Sequence, residues 1–322
     1  MYANMSFGGE IMATAVICEF NPFHNGHKYL LESAKKVLKE PIIAIMSGSF
    51  TQRGEVAVCD KFVRAKSALE NGADLVLELP VVFSLSGAEG FAKAGAAIAS
   101  AFDCTNHLAF GSESGDCELL KKSANAVCDE RVQALVRDGM KNGGYYPREL
   151  ESAVKTVFGD EVSSVLCKPN NILAVEYIKA LSSTSVEPFS VARTGAAHDS
   201  RIADNDLASA SHIREMLRNG ENAKKYAPYV PDEITFSENL DRPLLYRLRT
   251  MTREEISKLP DVGEGLENRI ADAAMQCSTS AEIADFVKTK RYTHARIRRI
   301  LACALLGIKK LIRRFRLNMS VC

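Results

Sequence analysis

Four short apolar runs, Ala13–Cys18, Ile42–Met46, Leu75–Leu79 and His107–Phe110, alternate with helix-period stretches at Lys28–Leu38, Lys61–Asn71 and Ala88–Ala101. Short apolar runs bounded by turn residues suit strands buried on both faces, and the helices between them supply the crossovers that parallel neighbours need. The alternation predicts an α/β fold, a doubly wound parallel sheet with helices on both faces. Cys117 to Phe158 reads as helical with a break at Gly143-Gly144, Ile172–Leu181 as a helix, and Phe189–Val191 as a further strand. Ligands of such sheets bind beyond the carboxyl ends of the strands, so chemistry is expected there.

The first of those ends is the most informative. Asn21-Pro22 breaks the strand pattern, and His24 and His27 then flank Gly26 at the opening of an amphipathic helix. A strand turning sharply into a helix aims free N–H groups and the positive dipole end above the sheet. Two histidines three apart share one face of the first turn. Backbone donors, dipole and imidazoles together suit a polyphosphate. Paired histidines also serve as metal ligands or helix caps, but Cys18 and Glu19 stand at no recognised ligand spacing. Strand, Pro-broken turn and intervening glycine favour phosphate.

Composition is that of a soluble enzyme, 46% apolar and 25% charged over 322 residues, enough for one large domain and a smaller one. Nine cysteines without a CxxC pair point to reduced thiols and a cytoplasmic protein rather than a disulfide frame or zinc site. No stretch has the length of a membrane span, and nothing reads as a signal segment. Met1–Ile11 reads as an unstructured extension, with Met12 an alternative start. Charge is uneven: from Ala281 to Cys322 there are eleven Lys or Arg against two acids, a net +9, which leaves the other 280 residues at −8. A basic end on an acidic body suits a polyanionic partner; a solvated helix face is the equal alternative.

His24-Asn25-Gly26-His27 matches the HxGH signature of the nucleotidyltransferase superfamily. The longer string Glu19-Phe20-Asn21-Pro22-Phe23-His24-Asn25-Gly26-His27 closely resembles the bacterial tRNA(Met) cytidine acetate ligase family. Met46-Ser47-Gly48-Ser49-Phe50-Thr51-Gln52-Arg53-Gly54-Glu55, Gly72-Ala73-Asp74-Leu75-Val76-Leu77-Glu78-Leu79-Pro80 and Phe110-Gly111-Ser112-Glu113 agree with that family, from about Ala13 to about Gly307. The resemblance implies an HxGH nucleotidyltransferase-like Rossmann fold over residues 12–220 and a smaller helical, basic, tRNA-binding region over 221–322, shorter than is usual in the family. It implies a two-step reaction: acetate and ATP give acetyl-adenylate and pyrophosphate, and N4 of the wobble cytidine of elongator tRNA(Met) takes the acetyl group. ATP, acetate and tRNA are the implied partners, with no protein partner evident.

By that resemblance ATP is bound along Ile17-Cys18-Glu19-Phe20-Asn21-Pro22-Phe23-His24-Asn25-Gly26-His27-Lys28-Tyr29-Leu30, with His24 and His27 catalytic, and by Gly111, Asn170, Asn171, Arg193, Ser209, Ser211 and Arg214. Read as residues alone, Ser209 and Ser211 with Arg214 are better explained as a helix cap and a surface cation, and Asn170 and Asn171 are equally a turn and helix cap. The Ser47–Gly54 loop either closes over an acyl-adenylate or admits the RNA, or merely turns. Glu19 and Asp74 are candidates for Mg²⁺, the usual companion of ATP, though carboxylates at strand ends also cap neighbours. His198 and His212 read as structural. In the tail, Lys290, Arg291, Tyr292, Arg296, Arg298 and Arg299 interleave cations with a stacking-capable ring and are the expected tRNA contacts. Two other readings remain: an adenylyltransferase acting on a small phosphorylated metabolite, and a truncated, non-catalytic nucleotide- or RNA-binding protein.

Overall fold

A computed structural model describes residues 12–193, 206–230, 232–289 and 292–310. Five strands, β1 (Ala13–Cys18), β2 (Ile42–Ser47), β3 (Leu75–Leu79), β4 (Thr105–Ser112) and β5 (Glu187–Ala192), form one parallel sheet in the order β3-β2-β1-β4-β5. The helices of its crossovers are α1 (Asn25–Leu38), α2 (Lys61–Glu70), α3 (Val81–Ser84) and α4 (Ala88–Ser100). A helical stack follows β4: α5 (Cys117–Cys128), α6 (Glu130–Lys141), α7 (Tyr146–Phe158), α8 (Asp160–Ser164) and α9 (Pro169–Leu181). Beyond β5 lie α10 (Ala210–Arg218), α11 (Asp241–Thr250), α12 (Arg253–Ser257), α13 (Leu266–Gln276), α14 (Ser280–Val287) and α15 (His294–Leu306).

All six β1 residues are buried, and their alternation divides them between two cores. Ala13, Ala15 and Ile17 join α4, α5 and α9 on one face; Val16 and Cys18 join Leu31 and Ala34 of α1 and Ala68 of α2 on the other. A run that is apolar at every position is what a doubly covered strand requires. The order reverses at β1, whose neighbours β2 and β4 lead in opposite directions, and the crevice above that reversal is the expected ligand position.

The division between bodies falls later than residue 220. Ala223 and, partly, Tyr226, Val230, Ile234 and Phe236 pack with Val58, Cys59 and Ile213 against the sheet domain, whereas a separate helical core begins at Leu244. That second core closes on the first through Ala302, Cys303 and Ile308 against Leu85. Among the described residues the last helix is α15, which ends where Gly307 adopts φ 69°.

Candidate active site

A cavity of about 300 Å³ opens above the carboxyl ends of β1 and β4, between the first turn of α1 and the starts of α9 and α10. His24 caps α1: its Nδ1 accepts from the Gly26 N–H at 3.1 Å, and the His24 N–H donates to His27 Nδ1 at 3.3 Å. The two rings stack with centroids 3.7 Å apart. With both Nδ1 atoms accepting, each neutral ring carries its proton on Nε2 and is a donor there. Gly26 is required by this arrangement, since a Cβ would lie 2.9 Å from His24 Cε1. Phe20 and Phe23, each 1% exposed, set the rings from below, with centroids 4.9 and 5.8 Å from that of His27.

Across the cavity, Ser209 is the N-cap of α10, its Oγ accepting from the His212 N–H at 3.1 Å. One turn on, Arg214 donates to the Asn21 carbonyl at 2.8 Å and to Ser211 Oγ at 3.2 Å, which fixes its guanidinium beside the histidine turn. Ser211 and Arg214 line the cavity, and Ser209 caps the helix that carries them without lining it. At the end of β4, a Cβ on Gly111 would meet Arg193 Cγ at 3.4 Å, so backbone and Arg193 approach closely there. Asn170 lines the wall, held by its Nδ2 donating to Glu113 Oε1 at 2.7 Å. Asn171 turns inward instead, accepting from the Glu113 and Ser114 N–H groups at 2.9 and 3.1 Å.

Within Ile17–Leu30 the wall is built by Ile17, Cys18, Glu19, Phe20, Asn21, His24, Gly26, His27, Tyr29 and Leu30. Pro22, Phe23, Asn25 and Lys28 do not line it. Asn25 is committed to the scaffold, donating its Nδ2 to the Asp206 and Lys225 carbonyls at 2.8 and 3.0 Å. Lys28 pairs loosely with Glu32 at 3.9 Å on the outer face. Pro22 follows a cis peptide.

The loop after β2 enters the wall through Thr51, Gln52, Arg53 and Glu55. The Gln52 N–H donates to Glu19 Oε1 at 2.5 Å, and burial raises the Glu19 carboxyl above its ordinary range against that bond and the pull of Arg214 and Arg53. Beneath lies Arg64 of α2, 1% exposed, whose guanidinium donates to the carbonyls of Glu19 (2.6 Å), Ser47 (3.1 Å), Cys59 (3.3 Å) and Gly48. It ties the ends of β1 and β2 together. The sequence signal for Arg64 is its spacing from Ser67 and Ala68, which puts a cation on the buried face of α2. Tyr177, Phe91 and Phe110, apolar lining from α9, α4 and β4, carry no sequence signal beyond helix and strand periodicity.

Asp74 is not part of the site. Its carboxylate accepts from the Ile42 N–H at 2.7 Å and from Lys35 at the opposite edge of the sheet, where β2 and β3 begin. Among the described residues no three His, Cys, Asp or Glu side chains could share a metal ion. His212 lies off the cavity with its ring centroid 6.3 Å from that of Tyr226, and His198 lies outside the described residues.

The expected RNA contacts divide differently. Lys290 and Arg291 lie outside the described residues. Tyr292 is not available to stack on a base: it is 7% exposed in the helical core, donating to the Gly263 carbonyl at 3.2 Å. Arg296 covers the Tyr292 ring and donates to the Asp261 carbonyl at 2.7 Å. Arg298 pairs with Glu55 at 2.6 Å, and Arg299 donates to the Gln52 carbonyl at 3.3 Å. Gly54, at φ 78°, admits this contact, since a Cβ would lie 2.4 Å from the Arg299 nitrogen.

The family model described as HIGH Nucleotidyl Transferase matches residues 11–318. The chain is 37% identical to the tRNA(Met) cytidine acetate ligase of Clostridium tetani, over 92% of this chain and 79% of the relative. It is 38% identical to the protein of that name from a Thermoanaerobacter species, over 92% and 78%. Among solved structures, Thermotoga maritima TmcAL without ligand superposes with a TM-score of 0.87 at 32% identity, over 94% of this chain and 77% of that one. The same protein bound with alpha-thio ATP gives 0.85, over 94% and 76%. With this histidine turn on this sheet, the chain belongs to the HIGH nucleotidyl transferase family, within its tRNA(Met) cytidine acetate ligase branch.

Proposed function

We propose that this chain activates acetate with ATP as acetyl-adenylate and transfers the acetyl group to N4 of the wobble cytidine of elongator tRNA(Met). The observation that carries the reading is the stacked His24–His27 pair, with Nε2 donors, lining one cavity with Arg214 held beside its turn. Attack of acetate on the α-phosphorus expels pyrophosphate. That step asks for positioning and for donors where charge develops, not for a protein nucleophile. The histidines, the α1 N-terminus and Arg214 meet that need. The close approach at Gly111 and Arg193 and the wall at Asn170 suit the nucleoside end. Mg²⁺ would arrive on the triphosphate and offset its charge, a mode that needs few protein carboxylates. The basic C-terminal region suits the tRNA, and a tRNA substrate suits a cytoplasmic enzyme.

Purified protein given ATP, acetate and tRNA should yield N4-acetylcytidine by nucleoside mass spectrometry, with AMP released in step. AMP without the modified nucleoside, or adenylyl transfer to a phosphorylated metabolite, would replace this reading.

A further inference from the structure

We propose that the Glu19 carboxylate is the general base of the second step, taking the proton that leaves the cytidine amine as that nitrogen attacks the acetyl carbonyl. The inference rests on the acyl-adenylate reading above. An exocyclic amine conjugated to a pyrimidine ring is a poor nucleophile, and its proton must depart as the new bond forms. A positioned base is worth about 10²–10⁴-fold in such a step. The balance is simple. The N–C bond to the acetyl group forms, the C–O bond to the phosphate breaks with its electron pair going to AMP, and the proton passes to a Glu19 oxygen and then to solvent.

Five other titratable groups of the cavity, His24, His27, Glu55, Cys18 and Tyr177, are unsuited to the task. His24 and His27 accept N–H bonds at Nδ1, so their Nε2 atoms are donors. Glu55 is spent on Arg298 at 2.6 Å and faces Arg214 at 3.8 Å. Burial pushes the Cys18 thiol and the Tyr177 phenol well above their ordinary values, so both keep their protons at neutral pH. Glu19 differs in kind. It stands at the end of β1 in the cavity wall, with Oε1 oriented by the Gln52 N–H. Its main-chain carbonyl is pinned by Arg64 at 2.6 Å. Arg53, Arg214 and Glu55 are the charges that face it; burial, aided by Glu55, outweighs the two cations and the Gln52 bond, raising the carboxyl and making the ionised form a stronger proton acceptor.

Two assays separate the steps. Hydroxylamine attacks an acyl-adenylate without help and reports the first step as acetyl hydroxamate; synthetic acetyl-adenylate with tRNA(Met) transcript reports the second. In E19Q the transfer to tRNA should fall about a hundredfold or more and lose its acidic limb against pH, a far larger loss than that of hydroxamate. Equal loss in both assays, as a nucleotide or Mg²⁺ ligand would give, overturns the proposal. So does undiminished transfer, or an E19Q profile that keeps the acidic limb. Should E19Q not fold, E19D serves: it should transfer more slowly and retain the limb, and a lost limb counts against Glu19. No hydroxamate from wild type would sink the acyl-adenylate reading instead, and transfer from supplied acetyl-adenylate would still decide the role of Glu19.

Discussion

His24 and His27 do two jobs at unequal strength, and substitution can separate them. His24 is 5% exposed and caps α1, so H24A should cost about 1 kcal/mol of stability as well as activity. His27 is less buried and its Nδ1 contact is the longer one. H27A should lower kcat/KM for hydroxamate formation about 10²–10³-fold with the thermal midpoint shifted by less than that of H24A. Equal shifts in the midpoint would mean that both rings are structural. Arg64 offers the opposite case, a cation that touches main chain. Arg64→Leu leaves four carbonyls at the site's floor without their donor, and urea denaturation should show a loss of about 3 kcal/mol or more at unchanged slope. The histidines were legible because glycine, proline and strand pattern frame them locally. Arg64 acts through residues 5 to 45 positions away, and local pattern cannot report such partners.

Strand and helix alternation was legible because a doubly covered sheet needs uninterrupted apolar runs, and the predicted strands lie within β1 to β5. Ends were harder. β4 runs from Thr105 to Ser112, beyond its apolar centre, because Asn106 and His107 are held from outside the strand by Glu40. That carboxylate accepts from Thr14 Oγ1 at 2.5 Å and meets His107 Nδ1 at 3.0 Å, joining β1 and β4 where both begin. Burial alone would raise its pKa, but the bonds from Thr14, His107 and Asn106 win and hold Glu40 below the ordinary glutamate value. A folded value below the unfolded one stabilises the protein above about pH 4.3, and that contribution fades as pH falls through the lower folded value. Stability measured from pH 6 to pH 3 should therefore drop less steeply in E40Q than in wild type. Parallel curves would show that the cluster does not couple protons to folding.

At the scale of the molecule, composition shows where the cations concentrate but not what they do. Ile297, Ile300, Leu301 and Ala304 of α15 belong to the second core, and Arg298 and Arg299 hold the loop after β2. Removing Ala281–Cys322 to test RNA binding would therefore take away a core helix and the brace of the active-site loop together. Charge runs are legible in sequence; the partners that consume the charge are not, since Glu55 lies 243 positions from Arg298. Neutralising exposed cations outside the core is the cleaner test. Lys288 and Lys309 are exposed and near the two ends of the α15 segment. The double variant K288Q/K309Q should weaken tRNA binding and flatten the dependence of log K on log salt by about 0.7–0.9 for each phosphate no longer neutralised. Nucleotide binding and thermal midpoint should stay as in wild type, because neither lysine touches the cavity or the core. An unchanged salt slope would move the RNA surface away from this end of the molecule, and the net +9 of the tail would then be a solvated face.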